Sequence, residues 1–136
     1  MLWRLLAGVV TAFSVVVLGL SGPANSQGYP QKTVTIVVPL AAGSGMDVLV
    51  RLYADKLQER LGKPVVIENK PGAALMLAAS TVAAAPPDGH TLLVSTSTVM
   101  AINPVLYKKV NYDAQMDFTP ISFYVKSPFI LVVNND

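Results

Sequence analysis

Val34-Thr35-Ile36-Val37-Val38 is a β-branched run stopped by Pro39, and Leu40-Ala41-Ala42-Gly43-Ser44-Gly45-Met46-Asp47 follows as a small-residue loop that opens a helix. A strand feeding a helix through such a loop leaves bare backbone amides at the junction. The first N–H groups of a helix lack intrahelical acceptors and carry the positive end of its dipole, so the loop suits an anionic group. No side chain here is equipped for hard chemistry. The stretch reads as a carboxylate or phosphate cradle.

The same alternation continues. Residues 33–38 read as a buried strand, and residues 47–61 as a helix with an apolar stripe of Val48, Leu49, Leu52, Tyr53, Leu57 and Leu61. Ser44 and Asp47 have capping-box spacing, with Asp in place of Glu. Arg51 with Asp55, and Glu59 with Lys63, have i,i+4 spacing on the wet face. Gly62 and Pro64 end the helix. Val65-Val66-Ile67 is a second buried strand, residues 73–85 an alanine-rich helix, and Thr91-Leu92-Leu93-Val94 a third strand. This β-α-β-α-β order predicts an α/β fold with parallel strands and right-handed crossovers. Ligands of such sheets sit beyond the carboxyl ends of the strands, where loops 40–47, 69–75 and 95–100 would meet. Further on, residues 105–109 read as a short helix, and residues 121–125 and 129–133 as two more strands.

The amino terminus has another character. Met1-Leu2-Trp3-Arg4 is a short positive region, residues 5–20 are uncharged and mostly apolar, and Ala24-Asn25-Ser26 is a small-residue cleavage site. This matches a secretory signal peptide over residues 1–26, cut before Gln27. An uncleaved anchor is the other reading, but the apolar run is shorter than the ~20 residues that span a bilayer. The chain has no cysteine, which removes disulfides, thiolate chemistry and cysteine zinc sites. Its formal charge of +2 is scattered rather than clustered, which argues against a nucleic-acid partner.

Gly43-x-Gly45 resembles the start of a dinucleotide fingerprint, with Glu68 where a ribose-binding acid could stand. The third glycine position is Val48, and Pro39 and Leu40 lengthen the loop. A nucleotide-binding enzyme using this loop is therefore the rival reading, with Glu68 otherwise a solvated strand-end carboxylate. Leu61-Gly62-Lys63-Pro64 is not a P-loop, and no G-x-S-x-G elbow is present. The single His90 follows a Pro-Asp-Gly turn and reads as a surface residue without an identifiable acid partner. One histidine and eight scattered acids give no metal spacing, and no cofactor is implied. Ser95-Thr96-Ser97-Thr98 places four hydroxyls after the third strand. They either donate to a ligand or cap the next turn.

Several ordered blocks resemble the periplasmic substrate-binding receptors of tripartite tricarboxylate transporters, the Bug proteins. They are Tyr29-Pro30-x-Lys32, the run from Val37 to Asp47, Val66-Ile67-Glu68-Asn69-Lys70-Pro71-Gly72-Ala73, Ala85-x-Pro87-Asp88-Gly89-His90-Thr91-Leu92-Leu93, Ala101-Ile102-Asn103-Pro104, Leu106-Tyr107-Lys108-Lys109 and Asp117-Phe118-Thr119-Pro120-Ile121. The resemblance implies a two-lobed, type 2 periplasmic binding-protein fold. It implies capture of small carboxylates (dicarboxylates, tricarboxylates or acidic amino acids) for membrane transporter subunits. In the family the first strand–helix loop holds the ligand carboxylate through amides and bridging waters. The expected contacts are therefore Leu40, Ala41, Ala42, Gly43, Ser44, Gly45, Met46 and Asp47, then Gly72, Ala73 and Ala74, then Ser95, Thr96, Ser97 and Thr98.

The chain departs from the family where a glycine-rich run with an asparagine is usual. Here Ala74-Leu75-Met76-Leu77-Ala78 stands, and Met100 replaces a histidine often found before Ala-Ile-Asn. That either blocks the second loop or admits a more apolar ligand. Family members are more than twice this length, so a truncated copy is expected. Residues 27–103 would be an incomplete first lobe, and residues 104–136 the crossover and the start of the second. Such a copy would be a monomer if stable, with weak or no binding, and a non-functional fragment is the bland alternative.

Overall fold

The structure, a computed structural model, describes residues 28–127 and 130–134. The signal peptide expected over residues 1–26 lies outside them. Three strands, β1 (Val34–Val38), β2 (Val65–Asn69) and β3 (Thr91–Leu93), form a parallel sheet of order β2-β1-β3. Ile36 stands between Ile67 and Leu92 in register. Helix α1 (Gly45–Leu61) joins β1 to β2, and a 3-10 turn (Ala73–Leu75) with helix α2 (Met76–Ala83) joins β2 to β3. The expected α/β unit is thus present.

Side-chain alternation along β1 sorts the core into two layers. Ile36 and Val38 pack under Val50 and Ala54 of α1, flanked by Ile67 and Leu92. On the opposite face, Ala79 of α2 packs with Val99 and Tyr112, flanked by Leu93. The two helices therefore cover opposite faces. The connections leaving β1 and β3 depart to opposite faces too, which makes the carboxyl ends of those adjacent strands the switch point where open α/β sheets form a ligand crevice.

Several sequence expectations need correction. Helix α1 turns a different stripe inward: Asp47, Val50 and Ala54 are buried, whereas Val48, Leu49, Leu52 and Tyr53 are exposed. The helix phase is set at its first turn, where buried Asp47 is bonded to β2. Positions 47, 50, 54, 57 and 61 then follow on that face. Arg51 pairs with Asp47 rather than Asp55. Glu59 pairs with Lys56 rather than Lys63, because left-handed Gly62 turns the chain away after Leu61. Strand β2 is half-exposed rather than buried, since it is an edge strand and α2 lies over β1 and β3. Beyond β3 the chain makes a π turn (Thr98–Ile102) and a short helix α3 (Asn103–Leu106), earlier than the helix expected over 105–109. No strand forms among the described residues of 121–125 and 130–133, where Ile121, Phe123 and Leu131 are exposed. A strand needs a hydrogen-bonded neighbour, and none lies alongside among the described residues; Phe129 falls outside them.

The second helix is shorter than expected because Ala73, Ala74 and Leu75 all have positive φ (48°, 52° and 70°), directly after Gly72 at 127°. Left-handed backbone cannot enter an α-helix, and it costs a residue with a Cβ roughly 1–2 kcal/mol. Ala74→Gly is therefore expected to raise stability by about 1 kcal/mol, read as a higher urea midpoint with unchanged slope. A lower midpoint would contradict the left-handed assignment.

Candidate functional site

The first loop is built around its own acid. Ser44 caps α1, its hydroxyl accepting from the Asp47 amide at 3.3 Å. The Asp47 carboxylate turns back into the loop. Oδ2 accepts from the Gly43 amide at 2.9 Å and from Arg51 Nε at 2.9 Å, while Oδ1 accepts from Asn69 Nδ2 at 2.9 Å. Asn69 Nδ2 also donates to the Leu40 carbonyl at 2.9 Å, and Arg51 reaches Asn69 Oδ1 at 3.2 Å. This closed network ties the β1 loop to the end of β2. The Arg51 bond above all, then the Gly43 and Asn69 bonds, hold the Asp47 carboxyl well below the usual carboxylate range despite its burial. Asp47 in turn raises the Arg51 pKa.

Two expected ligand contacts are thereby reassigned. Asp47 is only 2% exposed and serves as an internal brace. The Gly43 amide is spent on it, so the residue a dinucleotide fingerprint would aim at phosphate already faces a carboxylate. Ala41, Ala42 and Gly45 are exposed, and Leu40, Ser44 and Met46 half-buried. Gly45 and Met46 open the helix, where N–H groups have no intrahelical acceptor.

Gly72, Ala73 and Ala74 are exposed on the second loop. Asn103, almost fully buried, donates through Nδ2 to the Ala74 carbonyl at 2.8 Å and so joins the second loop to α3. On the third loop Ser95, Thr96 and Thr98 are half-buried and Ser97 exposed. The turn is entered through the Thr96 carbonyl, which accepts from the Val99 and Met100 amides, both at 3.1 Å. Ser97, at the cap position, makes no side-chain capping bond. Thr96 Oγ1 is buried with no hydrogen-bond partner. The three loops thus meet at the carboxyl edge as expected. Asn69, Arg51 and Asn103 were missed as the groups that bind them together. The position of Asn69 at the end of an apolar strand, level with the loop of β1, was the available signal.

His90 differs from expectation. Its side chain is 11% exposed and lies 3.3 Å from Asp88 Oδ1. Nδ1 meets the Asp88 carbonyl at 3.0 Å and Nε2 accepts from the Gln31 amide at 3.2 Å. Lys32 Nζ bonds Asp88 at 2.8 Å, and this bond first, then the His90 amide, lowers the Asp88 pKa to about 2. These groups line an open cleft with Tyr29 at the amino edge of the sheet, the pole opposite the crevice. Glu68 is exposed and pairs with Lys70 at 2.9 Å, as a solvated strand-end acid would.

Residues 49–136 match the family described as tripartite tricarboxylate transporter family receptor. Protein BugT of Bordetella pertussis is 33% identical over 132 residues, covering 96% of this chain and 40% of its own length. MatC from Rhodopseudomonas palustris, solved with bound malate, superposes with a TM-score of 0.67 at 42% identity, over 71% of this chain and 33% of that one. A second R. palustris protein, solved with adipate, gives 0.65 at 41% identity, over 68% and 31%. The chain therefore spans well under half the length of the relatives it matches. With the parallel sheet, its carboxyl-edge loops and this extent of match in accord, the chain belongs to the tripartite tricarboxylate transporter receptor family of periplasmic binding proteins.

Proposed function

We propose that the chain forms part of a periplasmic receptor that captures small carboxylates for a tripartite tricarboxylate transporter. The observation that carries this reading is the braced first loop. The network of buried Asp47 with Asn69 and the half-exposed Arg51 braces a backbone turn whose helix-opening amides suit an anion, with no catalytic side chain in the turn. Malate and adipate in the related structures are carboxylates of the class such a turn would hold. Residues 27–103 supply most of one lobe and residues 104–136 lead toward a second, with residues 1–26 the export signal. Taken by themselves, the described residues offer one side of such a site, and a shallow wet surface buries little of a ligand.

Gly45→Pro tests the cradle. Gly45 is the first helical residue, a Cβ there meets nothing within 4 Å, and Ser44 before it is extended (φ −66°, ψ 158°), so proline fits the backbone. The change deletes one amide donor and keeps the helix. Malate titrated into the wild-type protein is expected to shift the amide signals of residues 41–46 with millimolar affinity. The variant should bind about tenfold more weakly with its circular dichroism unchanged. Equal binding by the two proteins would refute the cradle.

A further inference from the structure

Resting on that reading of the first loop, we infer that this crevice selects carboxylates with one charged head and an apolar body. Its two sides differ in chemistry. The β1 loop offers backbone amides. On the α2 side of the sheet, Leu75 of the second loop, Met76 at the start of α2 and Met100 of the third loop are each half-buried and packed in one cluster around Ala79 and Val99. Leu77 stays exposed and folds over Gly72, where a Cβ would lie 3.9 Å from its Cδ2. Loops 40–47, 69–75 and 95–100 contain one cation, Lys70, which is paired with Glu68, and one acid, Asp47, which is bonded to Arg51. The polar groups of the third loop are uncharged hydroxyls, among them the unpartnered Thr96 Oγ1.

A second carboxylate on the ligand would leave water against apolar side chains that offer it no hydrogen-bond donor, which is unfavourable. A chain of methylenes would instead gain from burial there. Methionines, flexible and polarisable, adapt to such a body. The chemistry that fits is a medium-chain aliphatic or aromatic monocarboxylate.

Acetate, hexanoate and malate distinguish the outcomes when each is titrated into the purified protein carrying labelled methionine methyls and backbone amides. All three should shift the amides of residues 41–46. Hexanoate alone should also shift the Met76 and Met100 methyls, and bind about tenfold more tightly than acetate or malate. Met76→Gln combined with Met100→Gln should bring hexanoate down to the level of acetate measured on the same variant, with its circular dichroism unchanged. Malate binding as tightly as hexanoate, with the amide shifts intact, would overturn the selectivity and leave the cradle standing. Methyl shifts without amide shifts would mean apolar adsorption and would also overturn it. Silence of the amides toward every carboxylate would remove the cradle and the inference together.

Discussion

Asp47→Asn is expected to lower the melting temperature by about 10 °C, although it changes one atom. Both carboxylate oxygens accept: Oδ2 from Gly43 and Arg51, Oδ1 from Asn69. An asparagine NH2 must face one of those donor sets in either flip, so at least one donor meets another. The loop between β1 and α1 then loses its tie to β2. Acid sensitivity follows from the same group. The folded-state pKa of Asp47 lies below the unfolded value of ~3.9, so its stabilising contribution is complete above about pH 4 and fades as pH falls further. Asp88, lowered to about 2, acts with the same sign. Thermal scans between neutral and acid pH should show the wild type losing stability below pH 4 and the variant, already weaker, falling less steeply. An unchanged melting temperature at neutral pH would refute the brace.

Ile36→Ala should cost about 3 kcal/mol. Ile36 sits in the central strand between Ile67 and Leu92, beneath Val50 and Ala54. These four neighbours are held by the sheet or by α1, so the space left behind closes poorly. Val66→Ala, on the exposed side of the edge strand, is the control and should change little. The comparison is read from urea midpoints; similar losses at the two sites would mean that the sheet does not pack as described.

The α/β order was legible because β-branched runs, glycine and proline punctuation and helix caps all act locally. Ser44 at the N-cap and left-handed Gly62 at the C-cap stand where the sequence placed them. The buried face of α1 was not legible. The helix carries two apolar stripes, and the choice between them rests on a long-range bond from Asp47 to Asn69, twenty-two residues on. The second helix misled for a related reason. Alanine has high helix propensity, yet residues 73–75 are held left-handed while buried Asn103 grips the Ala74 carbonyl. The apolar pattern of residues 121–125 was real, but pairing depends on a neighbour that periodicity cannot supply.

The candidate site was half legible. The sequence located the three loops, since parallel strands put their carboxyl ends together. It did not separate residues that face a ligand from residues that hold the turn. Asp47, the most polar member of the first loop, turned out to be its internal support. The histidine left to the surface is tied to the amino-terminal segment instead.

That last tie fixes where an attachment can go. Gln31 and Lys32 are fastened to the turn at Asp88–His90, so the polypeptide reaches β1 at one end of the sheet, and five residues of strand, about 17 Å, separate it from the crevice. A fluorescent tag or surface tether fused ahead of residue 28 would hang from the far pole and leave the crevice facing away from its support. Immobilised through that end, the protein would present its carboxyl-edge loops to passing solutes.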